Sequence, residues 1–310
     1  MRVLGASTIV LAAFAGLVAC SGNGAPPVGN DAPPKPPRAA SSPPSWVPPA
    51  ATTTAPIASA VPDPMEEPEI PEDPAAAKAR VVTELAGRRP RAWGMSIAGV
   101  LTHAVTDEAS IALTFDACGG AGGDGYDGAL IDYLRREKVP ATLFLTSKWI
   151  AAQRATAKAL AADPLFEIEN HGSAHRPCSV SGRSAWGIRG TRSVGDAVDE
   201  IQRGSKAIFD LTGRAPRFYR PGTAYFDDVC LDVIGALGQS AAGFAVNGDG
   251  GTGFSRSQVK DALVKAKSGS IVLLHMNHPG GATAEGVKDA IPILRARGVK
   301  LVLLRDAKLR

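Results

Sequence analysis

An α/β fold, a distorted (β/α)7 barrel with mainly parallel strands, is what this sequence predicts, on three observations. From Ser110 onward, short apolar runs alternate with amphipathic stretches of helical length, the pattern of successive β/α units. Seven such runs occur, which suits an incomplete barrel better than an open sheet, the sheet being the alternative. Reactive side chains also recur just after the runs, on the face where a β/α barrel gathers its carboxyl-end loops.

In chain order, strands are expected at Ile111–Phe115, Ala141–Thr146, Phe166–Glu169, Arg217–Arg220, Gly243–Val246, Ser270–Leu274 and Lys300–Leu304. Helices are expected at Ala129–Glu137 behind an Asp127 N-cap, Val194–Leu211 ended by Gly213, Asp227–Leu237, Ser257–Lys267 and Ala284–Arg297. With 310 residues, 45% apolar, and a net charge of +4, the chain can bury one good-sized core. The charge is mild and no basic stripe is interleaved with aromatic residues, which argues against nucleic acid as a partner.

The N-terminus reads as an export signal over residues 1–20, with Arg2 as the positive end and Leu4 to Val18 as an apolar core too short to span a membrane. Leu17-Val18-Ala19-Cys20 resembles the bacterial lipobox, which implies lipidation of Cys20 and a membrane-anchored lipoprotein of the cell envelope. In a Gram-negative cell Ser21 would favour the outer membrane. An ordinary secretory signal with a chance cysteine is the alternative. Residues 21–74 are rich in Pro, Ala, Ser and Thr and are expected to form a disordered tether. Residues 75–109 lead in, with a short helix expected at Ala75–Leu85, and residues 110–310 form the folded domain.

The reactive residues follow the strands in order. Asp116 follows strand one, His171 and His175 strand three, Asn247 and Asp249 strand five; Arg220 ends strand four and His275 abuts strand six. Two imidazoles four residues apart can aim at one metal ion, zinc being the commonest occupant of such sites. A carboxylate, a histidine pair, an arginine and a further histidine suit metal-assisted hydrolysis, with the carboxylate as base and a protonated histidine as acid. Arg220 would hold Asp116 ionised. Each has a plainer reading: Asp116 as a turn or N-cap residue, Arg220 as a surface ion pair, His275 as a core histidine.

Thr114-Phe115-Asp116-Ala117, His171-Gly-Ser-Ala-His175, Arg220-Pro221-Gly222 and Ile271-Val-Leu-Leu-His275 resemble, in order and spacing, the signature motifs of the polysaccharide deacetylase family of carbohydrate esterases. The resemblance spans about Ser110 to Leu304. It implies a divalent metal, usually zinc, and removal of acetyl groups from a polysaccharide such as peptidoglycan, chitin or xylan. By motif, Asp116 is the base, His171 and His175 are metal ligands, Arg220 positions the base and His275 is the acid. Asp249, with Asn247 beside it, falls in the region whose aspartate in that family supports the arginine or the acid.

Two departures stand out. The family places a second aspartate, its third metal ligand, where this chain has Ala117, and Asp124 and Asp127 are better explained as turn and cap residues. Where the family has proline and an aromatic residue, this chain reads Gly222-Thr223-Ala224-Tyr225; Gly222 and Tyr225 are the expected substrate-binding positions. Of Cys118, Cys178 and Cys230, the expected disulfide joins Cys178 to Cys230 and leaves Cys118 free beside Asp116, with small buried thiols as the alternative. The function expected is a membrane-tethered deacetylase acting on peptidoglycan amino sugars. A sugar-binding wall protein that has lost turnover with the aspartate, and a hydrolase of another amide, are the alternatives.

Overall fold

Side-chain alternation along the strands sorts residues between two layers. In a computed structural model of the chain, residues 73–106 and 108–310 are described; the signal peptide, Cys20 and the tether as far as residue 72 lie outside them. The main-sheet strands are β1 (Ser110–Ala117), β2 (Ala141–Leu145), β3 (Phe166–Asn170), β4 (Phe218–Tyr219), β5 (Ser240–Ala241), β6 (Val246–Asn247), β7 (Ile271–His275) and β8 (Lys300–Val302). The helices are α1 (Pro74–Glu84), α2 (Gly128–Arg136), α3 (Ser147–Ala152), α4 (Arg154–Ala161), α5 (Val194–Thr212), α6 (Asp228–Ala236), α7 (Arg256–Val264) and α8 (Thr283–Ala296).

All pairings in this eight-stranded sheet are parallel, in the order β5-β4-β3-β2-β1-β7-β6, with β8 beside the start of β1. On β1, Ile111, Leu113, Phe115 and Ala117 face a core shared with Leu130, Leu134, Val287 and Ile291 of the covering helices. Ala112, Phe144, Phe218, Ile271 and Leu304 fill the inside of the curved sheet. Burying both faces explains why these strands read as continuous apolar runs.

The single fifth strand expected at Gly243–Val246 is corrected to two pieces. β5 pairs with β4, β6 pairs with β7, and residues 242–245 carry the chain from one edge of the sheet to the other. The Ala242 amide donates to Tyr219 O and the Ala245 amide to Ile271 O, both at 2.9 Å. Residues 101–103 fill the gap: Leu101 N donates to Ala241 O, Gly243 N to Leu101 O, and Ile271 N to Thr102 O. The sheet is thus an α/β distorted barrel with its split plugged by the lead-in segment.

Four further expectations shift. The fourth strand shrinks from Arg217–Arg220 to Phe218–Tyr219, and the last ends at Val302, before a 3-10 turn at Leu304–Asp306. The lead-in helix begins at Pro74, where Asp73 caps it, and packs Val81 and Leu85 into a cluster with Val198, Ile201 and Val229. Helices α3 and α4, between β2 and β3, have no counterpart in the expected set. Asp127 caps α2 through Leu130 N, as expected, and Asp227 caps α6 through Cys230 N.

Candidate active site

The barrel interior brings the predicted residues together. Register pairs His275 of β7 with Asp116 of β1, so base and acid positions start on adjacent strands at one level. Arg220, wholly buried, donates from Nη1 to Asp116 Oδ1 and to Thr114 Oγ1, both at 2.8 Å. Its other donors reach Ala242 O at 3.2 Å and Gly243 O at 2.9 Å, and its guanidinium lies 4.1 Å from the Phe144 ring centroid. Four bonds and a stacked ring fix the guanidinium, which is a positioning group and not a surface ion pair. Burial would raise the Asp116 carboxyl, but the charge of Arg220, together with that of His275, outweighs it and holds it below its ordinary range.

His275 carries the complementary arrangement. Its Nδ1–H donates to Asp249 Oδ1 at 3.0 Å, and its backbone amide donates to Asp249 Oδ2 at 2.7 Å. Burial would lower the imidazolium, but the Asp249 charge and hydrogen bond raise it well above its ordinary value. Asp249, itself kept ionised by His275 despite burial, also accepts from Thr283 Oγ1 at 3.1 Å. The aspartate of this region therefore pairs with His275 and not with Arg220. Asn247 takes no part in that pair; its Oδ1 accepts from Gly250 N at 2.8 Å and closes a turn.

The histidine pair sits on a strapped loop. His171 donates from Nδ1 to the Arg220 carbonyl at 2.7 Å, so its Nε2 carries the lone pair. That Nε2 is buried without a hydrogen-bond partner, 3.6 Å from Asp116 Oδ2. His175 reaches it through a left-handed turn at φ 59°, the two rings lying edge to face with centroids 5.0 Å apart. Glu200 of α5 accepts the amides of Ser173 at 3.0 Å and Ala174 at 2.7 Å, and Asn170 Oδ1 accepts that of Gly172 at 2.9 Å. Sequence reading missed Glu200. Its only signal was a carboxylate on the apolar side of an amphipathic helix.

Cys118, one residue past β1, brings its sulfur to the same place: Sγ and one ring nitrogen each of His171 and His175 lie within 4.8 Å of one another. Burial would push the thiol up, yet the charge of His175 and the other imidazoles around it hold it well below its ordinary value. A buried imidazole lone pair with no partner, beside a second imidazole and a thiol, fits a divalent metal. Ala117 belongs to the outer core. Asp124 accepts from Gly120 N at 2.6 Å and Asp127 caps α2, so neither faces the histidines in the aspartate's place.

Gly222 and Tyr225 frame the rim. A side chain at Gly222 would collide with the His175 backbone, so its glycine is required by that close approach. The Ala224 amide, a conceivable oxyanion donor, is already bonded to Pro221 O at 2.9 Å. Tyr225 packs between Trp93 and Trp186, with ring centroids at 5.3 Å and 6.0 Å, and Trp186 is 69% exposed. Cys178 and Cys230 form the expected disulfide, and Cys178 N donates to Tyr225 O at 2.9 Å. Between the loops that follow Cys118 and His275 lies an open cleft of about 390 Å³ bordered by Gly122, Asp124, Asn277 and His278.

Residues 103–242 match the family model for polysaccharide deacetylase. Over 210 residues the chain is 26% identical to peptidoglycan-N-acetylmuramic acid deacetylase PdaA of Bacillus subtilis (strain 168), covering 65% of this chain and 72% of that protein. The solved structure of Bacillus subtilis PdaA, a family 4 carbohydrate esterase, aligns with a TM-score of 0.57 at 21% identity, over 74% of this chain and 87% of that one. A family 4 pseudoenzyme from Bacillus anthracis aligns at 0.56 and 21% identity, over 66% and 67%. Residues 103–242 therefore carry a polysaccharide deacetylase domain match, and the chain has the α/β distorted barrel of the solved carbohydrate esterases it aligns with.

Proposed function

We propose that this chain is a metal-dependent deacetylase that removes N-acetyl groups from peptidoglycan amino sugars, working as an envelope lipoprotein tethered through Cys20. The observation that carries the chemistry is the pairing of Asp116 with Arg220 and of His275 with Asp249 on adjacent strands, one pair favouring a base and the other an acid. A metal held by His171 and His175 would supply Lewis-acid polarisation of the acetyl carbonyl and of the attacking water. Asp116 takes the proton from that water as it attacks the carbonyl carbon. His275 delivers its proton to the amine nitrogen as the C–N bond breaks, so acetate leaves and the free amine remains. Arg220 keeps Asp116 charged and aimed throughout. The aromatic group of Trp93, Tyr225 and Trp186 offers faces on which sugar rings stack.

Peptidoglycan is favoured by the Bacillus subtilis relative and by the expected export and lipidation, which would place the domain beside the wall. Ala117 is the observation behind the alternative, a sugar-binding wall protein without turnover. Acetate release from acetylated peptidoglycan and chitooligosaccharides, with zinc, cobalt or nickel supplied, separates the two. The wild-type chain should release acetate, and Asp116→Asn should lower kcat by about 10²–10⁴-fold while its metal content stays the same. A metal-loaded wild type that releases none from either polymer would overturn the deacetylase reading.

A further inference from the structure

We propose that Cys118 is the third protein ligand of the metal site, so that this chain holds its ion through one thiolate and two imidazoles. The inference rests on the reading of the site as a metal centre and specifies its donor set. Successive residues of an extended chain point to opposite faces. Asp116 faces the barrel interior and Ala117 the outer core, so Cys118 returns to the interior beside Asp116. Its backbone is clamped there. Thr146 N donates to Ala117 O at 3.2 Å, Thr146 Oγ1 donates to Cys118 O at 2.8 Å, and Trp149 N donates to Thr146 Oγ1 at 3.1 Å. The next residue, Gly119, turns at φ 72° in a space where a side chain would strike the Trp149 amide.

The thiol's surroundings argue against simple packing. Cys118 is 4% exposed yet lies outside the apolar clusters, one of which holds Cys178 and Cys230. Its neighbours are the ligating nitrogens of His171 and His175, and the His171 Nε2 lone pair is buried without a partner. Among the described residues, this is the group of three histidine, cysteine or acidic side chains close enough to share one ion. Two nitrogens and a sulfur leave a position open for water or substrate, as a catalytic zinc site requires. A thiolate in place of a carboxylate shifts preference toward zinc and cobalt and away from magnesium, calcium and manganese.

Cobalt(II) provides the test. The full-length chain is stripped with a chelator, titrated with cobalt, and followed by absorption. The wild type should bind one ion and develop a thiolate-to-cobalt charge-transfer band in the near ultraviolet. Cys118→Ser should lose that band and bind cobalt more weakly, by at least the roughly 10–100-fold that lesser changes around a metal site cause. Cys118→Asp should recover affinity without the band, which also shows that the fold survives substitution. Alkylation followed by mass spectrometry should modify Cys118 in the stripped protein and spare it in the zinc-loaded one. One cobalt bound without the band, or wild-type affinity in Cys118→Ser, would overturn the thiolate while leaving the metal centre intact. Failure of both the wild type and Cys118→Asp to bind cobalt or zinc would overturn the metal centre itself, and the thiolate with it.

Discussion

Asp116 and Glu169 sit on one rung of the barrel, separated only by Phe144, which register pairs with both. Each is 3% exposed. Their carboxyls are nonetheless shifted in opposite directions. Asp116 is drawn below its ordinary range, since the charge of Arg220, together with that of His275, outweighs the cost of burial. Glu169 is pushed well above its ordinary value by burial and then by Glu167, with the Phe218 amide at 2.7 Å and the charge of Arg217 only partly offsetting them. Depth alone therefore does not set the state of a buried carboxyl; the cation beside it does. Arg220 divides the interior into a half where the ionised carboxyl is favoured and a half where burial favours the protonated one.

Breaking the charged half should give the largest effect. Arg220→Met leaves Asp116 buried without its hydrogen-bonded cation, and removal of one partner from such a pair costs about 3–5 kcal/mol. Denaturant unfolding at neutral pH should register that loss, together with loss of acetate release. Adding Asp116→Asn to Arg220→Met should recover part of the stability and none of the activity. A single variant as stable as wild type would mean that Arg220 does not hold the charge. The sign on the acid side follows from the lowered Asp116: its contribution is present above the ordinary carboxylate range and fades as pH falls through the folded-state value.

A smaller effect is expected at the acid. Asp249→Asn removes the charge that raises His275, so the protonated form is lost at lower pH than in wild type. The alkaline limb of the kcat/KM profile should move downward in pH, and kcat/KM at neutral pH should fall by up to about 10²-fold. An unmoved limb, with only a uniform loss across pH, would reduce Asp249 to a packing role.

The smallest effect belongs to the neutral half. A raised Glu169 binds its proton more tightly folded than unfolded, so its stabilising contribution is complete at acid pH and declines as pH rises from the ordinary value of 4.5 through the folded-state value. Glu169→Gln mimics the protonated form. It should lie within about 1 kcal/mol of wild type at acid pH and gain relative to it as pH rises. Unfolding curves at several pH values would check this, and a variant that loses ground with rising pH would show that Glu169 is ionised in the folded protein.

The site was more legible than the frame that holds it. Asp116, His171, His175, Arg220 and His275 stand out because each follows or ends an apolar run, where a β/α barrel exposes reactive groups. β5 and β6 did not stand out as two strands, since two-residue pieces carry no periodicity and pair with different neighbours. α3 and α4, at 6 and 8 residues, are too short to repeat a helical period clearly. Glu200 straps a loop some 27 positions before it, a relation no local pattern encodes.

By itself the sequence determined the parallel α/β class, the family motifs and the residue types available for chemistry, because apolar periodicity and motif spacing are local properties of the chain. Only the tertiary structure decided that Asp249 pairs with His275, that Glu200 shapes the histidine loop, and that Cys118 lies beside His171 and His175. Those outcomes depend on which side chains meet across the barrel and which face each residue presents as its strand ends. They are properties of packing, and they appear only when distant segments are brought together.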